Sequence, residues 1–465
     1  MKKNLLVKIL GLLVIASFVL AACGTPAATE EAPAEEPAAT EEAAATEEAA
    51  ATEEAAAEEV ELRWRTRPDN QEEIDVYSQI STDLDAELDG ITLAYEPGGS
   101  EGANYQDQLR AEIAAGTAPD VFWIPGTDVA DFATRGLILN ASDLASATEG
   151  YTAADFYEGP MFHLTYNPET GASGDGSGAV WGLPRDVSTF ALYLNLDLIA
   201  EAGAADPREL AANGEWTWDS FLEVAQATRA LGSDIYGYGA SAWWGPYGVW
   251  LNSSGGGFFT EDRAACNLNS EESLSGLEFQ RSLYQDFDVA TPYGEDPEPG
   301  FRAGKVAMFQ NGRWATPGVR TVDFNWDVVE LPTGPNGPGN WLFWGAYVIN
   351  ANTEHPEEAW ALVQALTTAQ TQGKISALGA NIPSRVSEEA LDAFLTFTPP
   401  ANNQAFLNGI AADANPTAEG PLWAGSWPEF DKIMGPAIQG VLTGSTTVED
   451  FGATICDEAN KVFNQ

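Results

Sequence analysis

The chain has 465 residues and a formal charge of −49, from 70 acidic and 21 basic side chains. That balance excludes nucleic acid as a partner, because little is left to neutralise phosphate. With two histidines, His163 and His355, and three cysteines, a histidine-rich zinc site is also excluded, and no metal or other cofactor is expected.

The N-terminus reads as a targeting segment. Lys2, Lys3 and Lys8 precede an apolar run over 9–20, the basic and apolar regions of a signal peptide. The run is short for a membrane span. It ends in Leu20-Ala21-Ala22-Cys23, which resembles a bacterial lipobox. Residues 1–22 are therefore expected to be cleaved, and Cys23 to be lipidated and to anchor the chain to a membrane surface. Beyond Cys23, the stretch to residue 59 is dominated by Ala, Thr, Glu and Pro, with no aromatic residue and no cation. It cannot bury apolar surface, so 23–59 is expected to be a disordered tether.

The globular chain opens with a short strand over 61–65. A helical pattern follows, with Ile74, Tyr77, Ile80 and Leu84 near 3.6-residue spacing, closing at Gly90. A second strand is expected over 91–95. The acidic run over 83–90 lacks the glycine and distal glutamate of a calcium loop and reads as a solvated helix face. Residues 105–115 form another helix, with Leu109 and Ile113 four apart. It stops at Gly116, Pro119 blocks a restart, and a third strand begins at Val121. Strand–helix–strand–helix–strand implies parallel strands with right-handed crossovers. Trp123 lies at the C-terminal end of the third strand, where open α/β sheets bind ligands.

Residues 181–195 begin with a turn marked by Gly182 and Pro184. They run into a strand with Phe190, Leu192 and Leu194 on one face. Thr217 is an N-cap candidate with Ser220, not glutamate, three residues on, so no full capping box is expected. Trp216 and Trp218 read as packing residues. Residues 241–250, SAWWGPYGVW, set four large aromatics among glycine and proline. They read as a loop whose rings serve a ligand, and 252–259 continues it. A strand with Val306 and Met308 ends at Gly312-Arg313-Trp314. Trp341 and Trp344 follow, then a mostly helical last third with an aromatic pair, Trp423 and Trp427.

Seven stretches carry a family resemblance: AAGTAPDVFW (114–123), RGLILNASDL (135–144), WGLPRDVSTFALYLNLDLI (181–199), EWTWDSFLEVAQAT (215–228), FRAGKVAMFQNGRW (301–314), HPEEAWALVQALT (355–367) and NIPSRVS (381–387). Their order resembles that of extracellular solute-binding proteins of ABC importers, in the carbohydrate-binding family similar to maltose-binding protein. The resemblance implies an α/β, two-lobed fold, each lobe a mixed, mostly parallel sheet flanked by helices, joined by a multi-crossover hinge through 181–195. On it, 61–187 plus 303–345 form the first lobe and 188–302 plus 346–465 the second. Cys266 and Cys456 then share the second lobe, either paired as a disulfide or left as two buried thiols. The implied protein is a monomeric, lipid-anchored receptor on the outer face of the cytoplasmic membrane or in the periplasm. It captures a sugar or oligosaccharide between its lobes and delivers it to a transmembrane permease, without catalysis.

The residues suit that chemistry. There is no phosphate-cradling G-x-G-x-x-G and no G-x-S-x-G nucleophile elbow. Indole faces cover the C–H face of a sugar, and Asp, Asn, Arg and Glu bond its polar rim. The candidates are Trp123 and Asp128 from the first lobe, Arg185 and Asp186 at the hinge, and Trp243, Trp244 and Tyr247 from the second, completed by Trp314, Trp344 and Trp427. By resemblance, Trp123, Trp314 and Trp427 stack on sugar; the others rest on loop composition. Rival readings are a secreted glycoside hydrolase, which needs two carboxylates about 5–10 Å apart, or the same fold holding a polyamine, a peptide or a glycerol-phosphate. The last would want clustered cations, which these candidates lack.

Overall fold

The structure is a computed structural model describing residues 59–68, 70–99, 105–260, 265–379, 381–411 and 427–462. The expected signal peptide, Cys23, the tether as far as residue 58, and Trp423 lie outside the described residues.

Among the described residues, ten strands fall into two sheets. In chain order they are β1 (Val60–Thr66), β2 (Ile91–Pro97), β3 (Val121–Pro125), β4 (Leu183–Ser188), β5 (Ala191–Asn195), β6 (Tyr236–Ala240), β7 (Val306–Asn311), β8 (Trp326–Val329), β9 (Phe343–Ile349) and β10 (Ile382–Pro383). One sheet has the order β10-β4-β9-β3-β1-β2, the other β6-β7-β5-β8. Helices flank both. Gln71–Asp85 illustrates why: the Asn70 side chain accepts from the Glu73 N–H at 2.9 Å, and Val76, Tyr77, Ile80 and Leu84 are buried along one stripe.

The β2-β1-β3 part is parallel, as the strand–helix alternation implies. The remaining pairings of that sheet are antiparallel, as are β5 with β7 and β5 with β8. Mostly parallel sheets were expected. The difference arises because the strands that return from the other half run against those already in place.

The lobe boundaries also need correction. β7 and β8 lie within 303–345, expected in the first lobe, yet both belong to the second sheet. Conversely, β10 and the helices Pro356–Leu366 and Glu388–Thr396 belong with the first sheet and its core, not with the second. Helices Trp427–Leu442 and Val448–Ala459 do pack in the second core. The reason is β5. With both faces buried, it needs a strand on each edge, and β7 and β8 are the two that pair with it.

The chain passes from one sheet to the other between Ser188 and Ala191, and returns before Phe343. The Asn340 side chain ties these two passages together. Its Oδ1 accepts from the N–H groups of Phe190 and Trp341, and its Nδ2 donates to the Phe190 carbonyl. A second tie is Arg313, wholly buried after β7. Its Nη1 donates to Asn403 Oδ1 at 2.7 Å, and Phe394, Phe397 and Phe406 surround its guanidinium.

Two local expectations are corrected. Thr217 and Ser220 do form a capping box: the Thr217 N–H donates to Ser220 Oγ and the Ser220 N–H to Thr217 Oγ1. A serine hydroxyl is long enough to play the role usually given to glutamate. Residues 244–254 are a helix, not a loop. Pro246 sits in the first turn, where a missing N–H costs little, and Gly255 ends the helix at φ +86°. Cys266 and Cys456 are disulfide-bonded across a sequence separation of 190.

Candidate functional site

A cleft of about 320 Å³ is lined by elements of both sheets. One wall is polar. It is built by Arg67 just past β1, Trp123 in β3, the single 3-10 turn Gly126–Asp128, Arg185 and Asp186 in β4, and Trp344 in β9. Gln106, Asp107 and Arg110 project into it from the helix Tyr105–Ala115.

Trp123 is 6% exposed, and two guanidiniums lie against its ring, Arg67 at 4.6 Å and Arg185 at 4.9 Å from the centroid. Its position comes from a missing side chain: a Cβ at Gly345 would fall 1.9 Å from Trp123 Nε1. Gly126 does the same for Trp344, where a Cβ would fall 2.2 Å from the ring. On its other side Trp344 stacks on His163 at 5.8 Å. Trp123 thus carries two cations against its ring.

The charges on this wall are tied to one another. Arg185 Nη2 donates to Asp186 Oδ2 at 2.7 Å, while its buried Nε and Nη1 have no protein partner. Burial works most strongly against the Arg185 charge, but the charge and hydrogen bond of Asp186 together with Tyr77 and Tyr347 outweigh it and hold the guanidinium protonated well above its ordinary range. Arg110 bridges Asp107 at 3.0 Å, Asp128 at 3.3 Å and Asp131 at 3.0 Å. Burial pushes the Asp128 carboxyl up to about 6, against the pull of Arg110 and a hydrogen bond from Gln106.

The facing wall is aromatic. Trp243 and Trp244 stand edge to face at 5.1 Å, and Trp244 meets Trp427 at 5.1 Å. Trp314 and Phe343 meet edge to face at 5.8 Å. Trp243 and Trp314 are half-buried, while Trp244 and Trp427 are buried. The ring faces still open to a ligand therefore belong chiefly to Trp243 and Trp314. Asp431 and Lys432 complete this wall, on the same helix as Trp427.

Of the ten sequence candidates, the structure brings Trp123, Asp128, Arg185, Asp186, Trp243, Trp244, Trp314, Trp344 and Trp427 to this one cleft. Tyr247 is not among them. It is 1% exposed and its ring packs on Phe258 at 5.9 Å, because the helix turns that face into the second core. Sequence reasoning missed Arg67, Glu73, Gln106, Arg110 and Asp431. Arg67 was within reach, since it follows the C-terminal end of β1, as Trp123 closes β3. The view that the site lacks clustered cations is also corrected: Arg67, Arg110 and Arg185 share one wall. Among the described residues, no group of three or more His, Cys, Asp and Glu could hold a metal ion.

Two α/β halves joined by repeated crossovers, with a polar and an aromatic wall facing one cleft, define a protein built to enclose a small solute. The profile of the family described as bacterial extracellular solute-binding protein matches residues 79–401, and the chain belongs to that family. Among curated proteins it is similar to a putative binding protein of Brucella abortus, 24% identical over 381 residues, covering 79% of this chain and 85% of the other. It is also similar to a maltooligosaccharide ABC transporter solute-binding lipoprotein of Streptococcus pneumoniae, 24% identical over 327 residues, covering 66% and 70%. Among solved structures it shares the fold of an ABC substrate-binding protein from Listeria monocytogenes in complex with cycloalternan. That match has a TM-score of 0.76 and 19% identity, and covers 88% of this chain and 100% of the other.

Proposed function

We propose that this chain captures an oligosaccharide in the cleft and delivers it to the membrane permease of an ABC importer, without changing it chemically. The observation that carries this reading is the pairing of two half-buried indoles, Trp243 and Trp314, with a wall of charge-paired arginines and carboxylates. Indoles cover the apolar face of a sugar ring. The Arg185 Nε and Nη1 donors and the Asp128 and Asp186 oxygens suit its hydroxyls. Burying roughly 100 Å² of sugar C–H surface yields only about 2.5 kcal/mol, whereas micromolar binding needs about 8 kcal/mol. Both walls are therefore required.

The names of relatives support the class of ligand: the similar proteins of Streptococcus pneumoniae and Bacillus subtilis are a maltooligosaccharide and a galactooligosaccharide binder. In this reading the mature protein is a monomer held at the outer face of the cytoplasmic membrane, or in the periplasm, by lipid on Cys23. The first lobe is the sheet of β1 to β4 with β9 and β10, and the second that of β5 to β8. Calorimetric titration against malto-, isomalto- and galacto-oligosaccharides tests the proposal, with chromatography of the ligand afterwards. Micromolar binding of an intact sugar is expected. Cleavage of the sugar, or no heat from any saccharide, would overturn it.

A further inference from the structure

The charges lining the cleft are unequally satisfied. Arg110 is shared among Asp107, Asp128 and Asp131, and Arg185 is bonded to Asp186. Lys432 reaches Glu429 at 2.9 Å. Asp431 differs: it lines the cleft, yet it has no hydrogen bond and no ion pair with any described residue. It lies one helical turn after Trp427, on the same face of the helix Trp427–Leu442. Trp244 stands against Trp427 and Trp243 against Trp244, so the carboxylate borders an aromatic wall. The side chain is half-buried, and burial raises its pKa.

A half-buried carboxylate that no described residue pairs keeps an unbalanced charge at the cleft. A cationic group balances that charge, and indole faces beside it attract the same group. We infer that the ligand bears a free ammonium group that lodges against Asp431 on the cleft side of the aromatic wall, where Trp243 keeps an open ring face. Resting on the saccharide reading above, this makes the ligand class an oligosaccharide containing an unacetylated amino sugar. Its neutral hydroxyls meet the paired charges of the opposite wall. The acidic balance of the whole chain favours the approach of such a cation.

The test uses the whole mature chain and its Asp431→Asn variant, titrated with glucosamine oligomers, their N-acetylated counterparts and neutral malto-oligosaccharides. The free amines are expected to bind at least 10-fold tighter than the acetylated forms. Asp431→Asn is expected to abolish that preference, leaving the free-amine and acetylated forms within 3-fold of one another. Equal affinity for amine and amide, or a preference that survives in Asp431→Asn, overturns the inference. A further arm with spermidine and choline separates the two readings. Amine binding lost in Asp431→Asn, with no response to any sugar, sinks the saccharide proposal and keeps the assignment of Asp431. No response to any amine sinks the assignment itself.

Discussion

The Asn340 carboxamide satisfies both backbone polar groups of Phe190: Oδ1 accepts its N–H at 3.0 Å, and Nδ2 donates to its carbonyl at 2.9 Å. One side chain thereby does what a neighbouring strand would do, at the point where two sheets exchange the chain. Removing it in Asn340→Ala leaves two buried backbone groups without partners, each costing about 1–3 kcal/mol. Urea denaturation should show a loss of about 2–5 kcal/mol. A change below about 0.5 kcal/mol would mean that water or a shifted backbone replaces the amide.

Gly345 fixes where the Trp123 indole lies, and through it the two guanidiniums on the ring. Gly345→Ala forces the indole away. Ligand affinity should fall at least about 10-fold, roughly 1.4 kcal/mol, with a shift in tryptophan emission. Unchanged titration curves would show that the arginines do not depend on this support.

The half-buried indoles and the buried tyrosine should separate by phenotype. Trp243→Ala and Trp314→Ala should each weaken oligosaccharide binding by about 2 kcal/mol, roughly 30-fold, with small effects on folding. Tyr247→Ala should cost about 3–5 kcal/mol of stability through the cavity it leaves. The protein that remains folded should keep its affinity. Equal losses of affinity in all three would place Tyr247 at the ligand after all.

Asp128 predicts a pH dependence of stability. Its folded pKa of about 6 lies above the ordinary carboxyl value near 4, so the native state holds the proton more tightly than the unfolded chain. The stability this supplies is fully present below about pH 4 and is lost as pH rises through 6. Asp128→Asn removes the slope. Relative to the parent, the variant should gain stability between pH 4 and 6, by up to about 3 kcal/mol, then stay level. A gain running the other way would show that Arg110 holds the carboxylate ionised throughout.

Cys266 and Cys456 close a loop across 190 residues, and loop-closure entropy assigns such a bond about 4–5 kcal/mol. The double change to serine should lower the thermal midpoint, while binding at low temperature persists because neither sulfur lines the cleft. Loss of binding below the new midpoint would count against this.

Much of the fold is readable locally. β1 to β3 announce themselves through alternation and through Gly116 and Pro119, and the strand after Phe190 through its two faces. The helix Trp244–Ser254 does not, because it is buried almost all round and so has no polar stripe, while glycine and proline in its first turn imitate a loop. Nor could the sequence place β7 and β8, since their sheet is decided by pairing with β5 more than 100 residues earlier. At the site, residue type pointed to aromatics that line one cleft, Tyr247 excepted. What each one does depends on distant neighbours: Trp123 is claimed by arginines from β4 and from beyond β1, which no local spacing reveals.

The helix Trp427–Leu442 packs in the second core, yet its first turn also touches the Gly126–Asp128 turn of the opposite half. It is hinge-plate and door-edge at once. Parting the two halves would have to break this contact, so the helix links the side of the cleft that carries Trp427 to the turn that carries Asp128.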